Sequence, residues 1–222
     1  MNKVIKNILY NFSGNIVSKV LSFATVAVTT RMFGSAIFGQ YNIAYAEYSY
    51  FSLFALMGMN GYGLFLLAKE KELQKQQIII SEICGAKVIS GVLISGALLS
   101  YILLIPNSHK FIAPYILLLL FQFADISWIL HAFQDMKLTA YGALITIVVN
   151  VSMLSICYYT NVRSIHSLIW ANVLSTLILY MIYVIYFKRK YHFLLFLRVP
   201  PYFHYIKKAF PYMISGFLIG RG

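Results

Sequence analysis

The sequence predicts an all-α protein, a polytopic membrane helical bundle, and three observations carry that prediction. Hydrophobic residues make up 60% of the 222-residue chain and charged ones only 11%, with mean hydropathy +0.76, whereas soluble domains carry charge at about a quarter of positions. Apolar runs of membrane-spanning length recur, each able at about 1.5 Å per residue to cross a hydrocarbon core of about 30 Å. The runs are continuous rather than alternating, and in lipid only helices or closed barrels satisfy every backbone hydrogen bond, so helices are expected throughout.

Taken in order, six spans and the start of a seventh are predicted: 11–33, 42–66, 84–105, 112–133, 139–160, 165–187, and from 209 onward. This divides the chain into a six-span lobe (1–187), a basic connector at the membrane surface (188–208) and the truncated start of span 7 (209–222). The first span follows Lys3 and Lys6 but contains Lys19 and lacks an A-x-A-like cleavage site, so it is read as retained. Arg31 to Tyr41, framed by Gly34 and Gly39, is the tight turn of a membrane hairpin. Gly58, Gly61 and Gly63 around Asn60 weaken span 2, which fits either irregular backbone facing a cavity or close helix packing. Gly91 with Ser95 and Gly96 with Ser100 give span 3 a small-residue face for helix packing. Residues 69–82 mix both charge signs with Ile78, Ile79 and Ile80 and predict a short amphipathic helix on the headgroups. Residues 188–208 bracket a short apolar run with basic clusters and Pro200-Pro201, which anionic lipid would hold at the surface.

Charge sets the orientation. A cytoplasmic N-terminus places Lys3, Lys6, Lys69, Lys71, Lys75, Lys137, Lys188, Arg189, Lys190, Arg198, Lys207 and Lys208 inside, twelve against Arg31, Lys110 and Arg163 outside. Lys19, Lys87 and Arg221 fall within spans and do not enter the comparison. The net charge of +12 is dispersed between spans rather than gathered in one domain, which points away from nucleic acid.

Ionisable residues inside a span cost roughly 2.5 to 3.5 kcal/mol on insertion scales and need a partner, water or a route to the interface. Lys19 and Asp125 each lie eight residues from the inner end of their spans, about 12 Å deep, and Arg31 and Glu47 lie near the outer edge. Equal depth predicts two pairs, Lys19 with Asp125 and Arg31 with Glu47. Two readings stand for all four: structural pairs or snorkelling cations, or the lining of a hydrated cavity whose Lys and Arg would suit a phosphate-bearing substrate.

Tyr41, Tyr45 and Tyr48 recur at i, i+4, i+7 near the outer boundary; an interfacial aromatic belt accounts for them, with stacking on sugar rings as the alternative. His109, His131, His166, His192 and His204 show no metal-ligand spacing, and Cys84 and Cys157 fall at opposite membrane faces. No G-x-S-x-G, Walker A or H-E-x-x-H motif is present, and no metal, cofactor or catalytic residue is predicted.

Three stretches carry a resemblance. Gly34-Ser-Ala-Ile-Phe38-Gly39-Gln-Tyr41 resembles the G-x-x-x-F-G-x-Y signature of polysaccharide-lipid flippases. Trp128 to Lys137 (WILHAFQDMK) is similar to that family's aromatic, Gln-bearing end of span 4, here Gln134. Lys208-Ala-Phe-Pro211-Tyr-Met-Ile-Ser-Gly216 looks like the proline-led start of its span 7. The resemblance to these Wzx-type flippases, in the multidrug/oligosaccharidyl-lipid/polysaccharide exporter superfamily, implies two six-helix lobes around a central cavity. This chain would supply the first lobe and the start of span 7, a fragment of the full transporter. It also implies an undecaprenyl-diphosphate-linked glycan as substrate, moved from the inner to the outer leaflet of the bacterial cytoplasmic membrane for O-antigen, capsule or exopolysaccharide synthesis. H+ or Na+ would be the coupling ion, and a glycan polymerase and glycosyltransferases would act in the same pathway. A multidrug exporter would want an acidic cavity, which Lys19 and Arg31 against Glu47 and Asp125 do not provide. A lipid II flippase, and from another class a membrane-integral glycan polymerase or acyltransferase, are the remaining alternatives.

Overall fold

The computed structural model describes residues 3–105, 110–191, 198 and 201–219, without the side chains of residues 3–15, 140 and 215–219. Those residues form an all-helical bundle. Helix α1 (Lys3–Phe33) ends at Gly34, whose φ of 86° lets the chain turn at once into α2 (Ser35–Leu56). A left-handed residue there favours glycine. A second break follows at Met57 (φ 42°) and Gly58 (φ 74°), after which α3 (Met59–Lys69) continues at a bend of 40°. Span 2 is thus one bent pair of helices.

Helix α4 runs unbroken from Leu73 to Leu104. The amphipathic surface helix expected over 69–82 is therefore not a separate element but the first turns of span 3. The reason is burial: Ile80 and Ile83 are 2% and 0% exposed, in a core cluster with Met59, Trp128 and Phe187. Packing both against protein removes more apolar surface from water than laying Ile78 and its neighbours on headgroups.

Span 4 also departs from expectation. In place of one helix over 112–133 there are a 3₁₀ turn (Lys110–Ile112), α5 (Tyr115–Leu120), a second 3₁₀ turn (Gln122–Ala124) and α6 (Ser127–Ala132). The chain leaves α5 through short bonds, Ala124 N–H to Phe121 O at 2.9 Å and Asp125 N–H to Gln122 O at 3.1 Å. Irregular backbone at membrane depth is tolerated where protein buries it. Here α4 and α8 cover it.

Helices α7 (Met136–Tyr159) and α8 (Ile165–Tyr191) are continuous, α8 carrying Lys188, Arg189 and Lys190 in its last turn, where cations offset the helix dipole. Helix α9 spans Tyr202–Ile219. By length and composition α1, α4, α7 and α8 can each cross a membrane, and the bent α2–α3 pair makes a fifth.

The turns at Gly34 and at 160–164 and the 3₁₀ turn Lys110–Ile112 share one end of the bundle; the turns at 70–72 and 133–135 share the other. Helix α1 lies chiefly on α7 and also on α2, α7 on α8, α2 on α4 and α8, and α3 on α6 and α9. One core fills the Asp135 end, around Met59, Ile83, Ile129 and Phe187; another fills the Gly34 end, around Tyr48, Leu98, Tyr115 and Ile169. The outward surface is apolar, with Phe23, Val148 and Met181 more than half exposed, as expected of a bundle whose solvent is lipid.

Candidate functional site

A cleft of about 320 Å³ opens between α1, α2, α7 and α8 in the half of the bundle nearer Gly34. Each helix contributes at least one polar residue, and α1 a polar stripe. Helix α1 presents Ser22, Thr25 and Thr29 beside Val26, at the i, i+3, i+7 spacing of one face. Helix α2 presents Phe38, Tyr41, Asn42 and Tyr45, α7 presents Asn150 with Leu154, and α8 presents Asn172 with Leu168. Phe38, Tyr41 and Tyr45 form an aromatic wall, with ring centroids 5.9 Å and 6.2 Å apart along the row.

The cleft is uncharged and its walls are mostly apolar, with hydroxyls and side-chain amides set into them. None of the described residues lining it is ionic. Of the hydroxyls of α1, that of Thr25 donates to Leu21 O at 2.8 Å. Among the described residues, the side-chain amides of Asn42, Asn150 and Asn172 form no hydrogen bond. Asn42 and Asn172 lie seven residues from the Gly34 ends of their helices and Asn150 nine, so all three sit roughly 10 to 14 Å in. Three amides from three helices therefore converge at one depth, each with a free donor pair and acceptor.

None of the four predicted charges lines the cleft. Lys19 is exposed on α1, on the same face as Ser22 and one turn further from Gly34. Asp125 ends the 3₁₀ turn that packs on α4 and α8, and its carboxylate accepts from Ser127 N–H at 3.2 Å. The structure does not join Lys19 to Asp125, because the break in span 4 turns Asp125 toward α4, away from α1. The second expected pair is also not formed: Arg31 is exposed and, among the described residues, makes no ion pair. Glu47 is half-buried on α2 and acts electrostatically on Tyr101 of α4 instead.

Sequence reasoning passed over the partner that Asp125 does have. Lys87, 1% exposed, donates Nζ–H to the Asp125 main-chain carbonyl at 2.8 Å. One face of α4 serves the whole break. Cys84 Sγ lies 3.8 Å from Phe123 O, and a Cβ on Gly91 would fall 2.5 Å from Leu119 O. Cys84, Lys87 and Gly91 recur at i, i+3, i+7, so a donor, a cation and a gap meet the carbonyls that the broken helix leaves free.

The motif residues divide by role. Gly34 makes the turn, while Phe38 and Tyr41 wall the cleft. Gly39 has nothing within 4 Å of where a Cβ would sit. Trp128 is core: it is 2% exposed and its ring would meet a Cβ on Gly63 at 2.6 Å. Gln134 turns the chain between α6 and α7 with φ 54°, bonding its N–H to His131 O at 3.0 Å. The tyrosines divide: Tyr48 is buried and stacks on Tyr115 with centroids 4.5 Å apart, and Tyr41 and Tyr45 line the cleft. His109, His192, Pro200 and Arg221 lie outside the described residues.

No curated protein and no solved structure matches the chain. A family model described as polysaccharide biosynthesis protein matches residues 4–220. Together with the multi-pass helical bundle, that match places the protein in the polysaccharide biosynthesis family of membrane proteins.

Proposed function

We propose that the protein translocates an undecaprenyl-diphosphate-linked oligosaccharide repeat unit from the inner to the outer leaflet of a bacterial cytoplasmic membrane, supplying surface polysaccharide synthesis. Residues 1–187 are the first lobe of a two-lobe transporter, 188–208 a connector at the inner surface, and 209–222 lead into span 7. The Gly34 end is periplasmic.

The cleft carries this reading. A bundle whose exterior is apolar holds an uncharged, hydroxyl- and amide-bearing recess at membrane depth, walled by Phe38 and Tyr41 of the signature. A glycan crossing lipid must exchange its water for other hydrogen-bonding groups, and such a recess supplies them. Lys19 follows the polar stripe of α1 one turn inward, where a diphosphate trailing the sugar would meet a cation. A multidrug exporter for cationic cargo would place acid in the recess, and the lining carries none among the described residues.

The test is complementation in cells deleted for their own glycolipid translocator. Carried as the first lobe of the two-lobe transporter, the chain restores surface glycan and clears the lipid-linked unit from the inner leaflet. Tyr41→Ala lowers that restoration about ten-fold at unchanged protein level, and Lys19→Ala lowers it while leaving the protein folded. If Lys19→Ala and Arg31→Ala both transport normally, the phosphate role is wrong; if the two-lobe protein carrying the wild-type chain restores nothing, so is the translocation.

A further inference from the structure

The chemistry of the cleft is narrower than its place in a glycolipid transporter requires. We propose that it is a subsite for a single neutral sugar ring, stacked on Tyr41 and held by the converging amides of Asn42, Asn150 and Asn172, and that it selects against sugars bearing a carboxylate. The proposal rests on the translocation reading for the identity of the whole substrate, but its claim about the cleft stands on the geometry alone.

Size comes first. A cleft of about 320 Å³ is at the lower end for small-molecule pockets, enough for one ring rather than a chain of them. Its walls match a sugar on both counts. A pyranose has an apolar C–H face that lies on an aromatic ring and an equator of hydroxyls, each at once donor and acceptor. Tyr41 supplies the ring, within a row that Phe38 and Tyr45 hold in place. A carboxamide offers two donor hydrogens and an acceptor oxygen together, and three of them line the recess with no bond to the rest of the protein among the described residues. Asn150 and Asn172 are half-buried and Asn42 is exposed at the mouth, so the two inner amides, left unsatisfied by the fold, are groups waiting for a ligand or for water.

Charge selection follows from depth. The amides lie seven to nine residues from the Gly34 end, whereas on α1 Lys19 lies fourteen from it and Arg31 two, so each of these cations sits about 8 to 10 Å from the amides along the axis, out of contact with a ring held there. A carboxylate on the bound ring would be drawn out of water and left among amides, hydroxyls and aromatic carbons without a counter-charge. A hydroxyl in the same place would lose nothing.

The experiment uses the full chain in nanodiscs of phosphatidylethanolamine and phosphatidylglycerol, with saturation-transfer NMR as the readout. The two probes are a neutral hexose trisaccharide and the same trisaccharide with its terminal ring oxidised to the uronic acid. The expected result is transfer to the neutral probe, strongest at its terminal ring, and at least about ten-fold less to the acid. Asn150→Leu and Asn172→Leu each weaken the neutral signal about ten-fold, while Asn172→Asp, which keeps an acceptor, retains more of it. Equal transfer to both probes, transfer to neither, or Leu variants that bind normally while folded would overturn the proposal. The wild-type comparison of the two probes holds even if a variant fails to fold. Sugar binding without glycolipid movement in cells would remove the translocation and leave the subsite; movement without sugar binding would do the reverse.

Discussion

At the scale of single residues, Asp135 shows how a small polar cluster fixes one end of this bundle. It sits in the turn between α6 and α7, 9% exposed, and accepts from Tyr186 Oη at 2.7 Å, Lys190 Nζ at 2.5 Å and Tyr191 Oη at 3.2 Å. Burial pushes its carboxyl up, but the Lys190 and Tyr186 hydrogen bonds and the Lys190 charge outweigh burial and hold it below the ordinary carboxylate range. A carboxyl depressed in the folded state stabilises fully above its unfolded value, and that contribution disappears as pH falls through the folded value. Asp135→Asn is therefore expected to cost about 1 to 2 kcal/mol at neutral pH, kept modest by the solvent exposure of Lys190. Thermal melts of detergent-solubilised protein should show the gap from wild type closing in acid, below about pH 4. A gap of constant size would remove the carboxylate from the account. Charged residues were the readable ones, because each stands out in an apolar run. Their partners were not: equal depth proposed Asp125 for Lys19, while the partner was Lys87, and only the facing of α4 decides that. The asparagines of the cleft drew no notice in sequence, since an isolated amide in a span looks the same whether it faces lipid, a neighbour or a recess.

At the scale of elements, the continuous helices α1, α7 and α8 and the later turns of α4 were legible from hydropathy, and the breaks and the first turns of α4 were not. Residues 115–121 (YILLLLF) are as apolar as any span, so nothing in their hydropathy marks a helix ending at Leu120. The cause lies across the bundle, in the α4 face that offers Lys87 to the Asp125 carbonyl and leaves room for Leu119 O at Gly91. Tertiary partners make the break affordable to a backbone that lipid alone would keep helical. The other break was half legible: the glycines of span 2 suggested either irregular backbone or close packing, and both occur. Gly58 takes φ 74° and a Cβ there would fall 2.4 Å from Ala209 O and 2.5 Å from Met213 N, while Gly61 meets the Tyr212 ring. Gly58→Ala must strain the left-handed turn and push α9 away together, and such losses reach about 2 to 4 kcal/mol. The expected outcome is a lower melting temperature and faster tryptic cleavage at Lys207 and Lys208, which are exposed on α9. Gly61→Ala, with only the movable Tyr212 side chain against it, should do less. Equal effects at both positions would mean that the close backbone approach of α9 is not what Gly58 serves.

At the scale of the whole molecule, the bundle has two chemically different ends, and their difference bears on which way it lies. Lys69, Lys71, Lys75, Lys137, Lys188, Arg189 and Lys190 gather at the Asp135 end, against Arg31, Lys110 and Arg163 at the Gly34 end. Retention of Lys and Arg in short connectors on the cytoplasmic side is a property of insertion, so the asymmetry supports the orientation proposed above, whatever the chain carries. In that orientation the amides of the cleft would lie in the periplasmic half of the membrane, and the proposed sugar subsite would act late in the proposed transport cycle. Single cysteines test the orientation without any assumption about cargo. With Cys84 and Cys157 replaced by serine, Arg163→Cys and Lys71→Cys place one exposed thiol at each end. In intact cells a membrane-impermeant maleimide should label position 163 and spare position 71, which becomes reactive only once the membrane is permeabilised. The opposite pattern would put the cleft in the cytoplasmic half, where a sugar subsite would act at loading rather than at release.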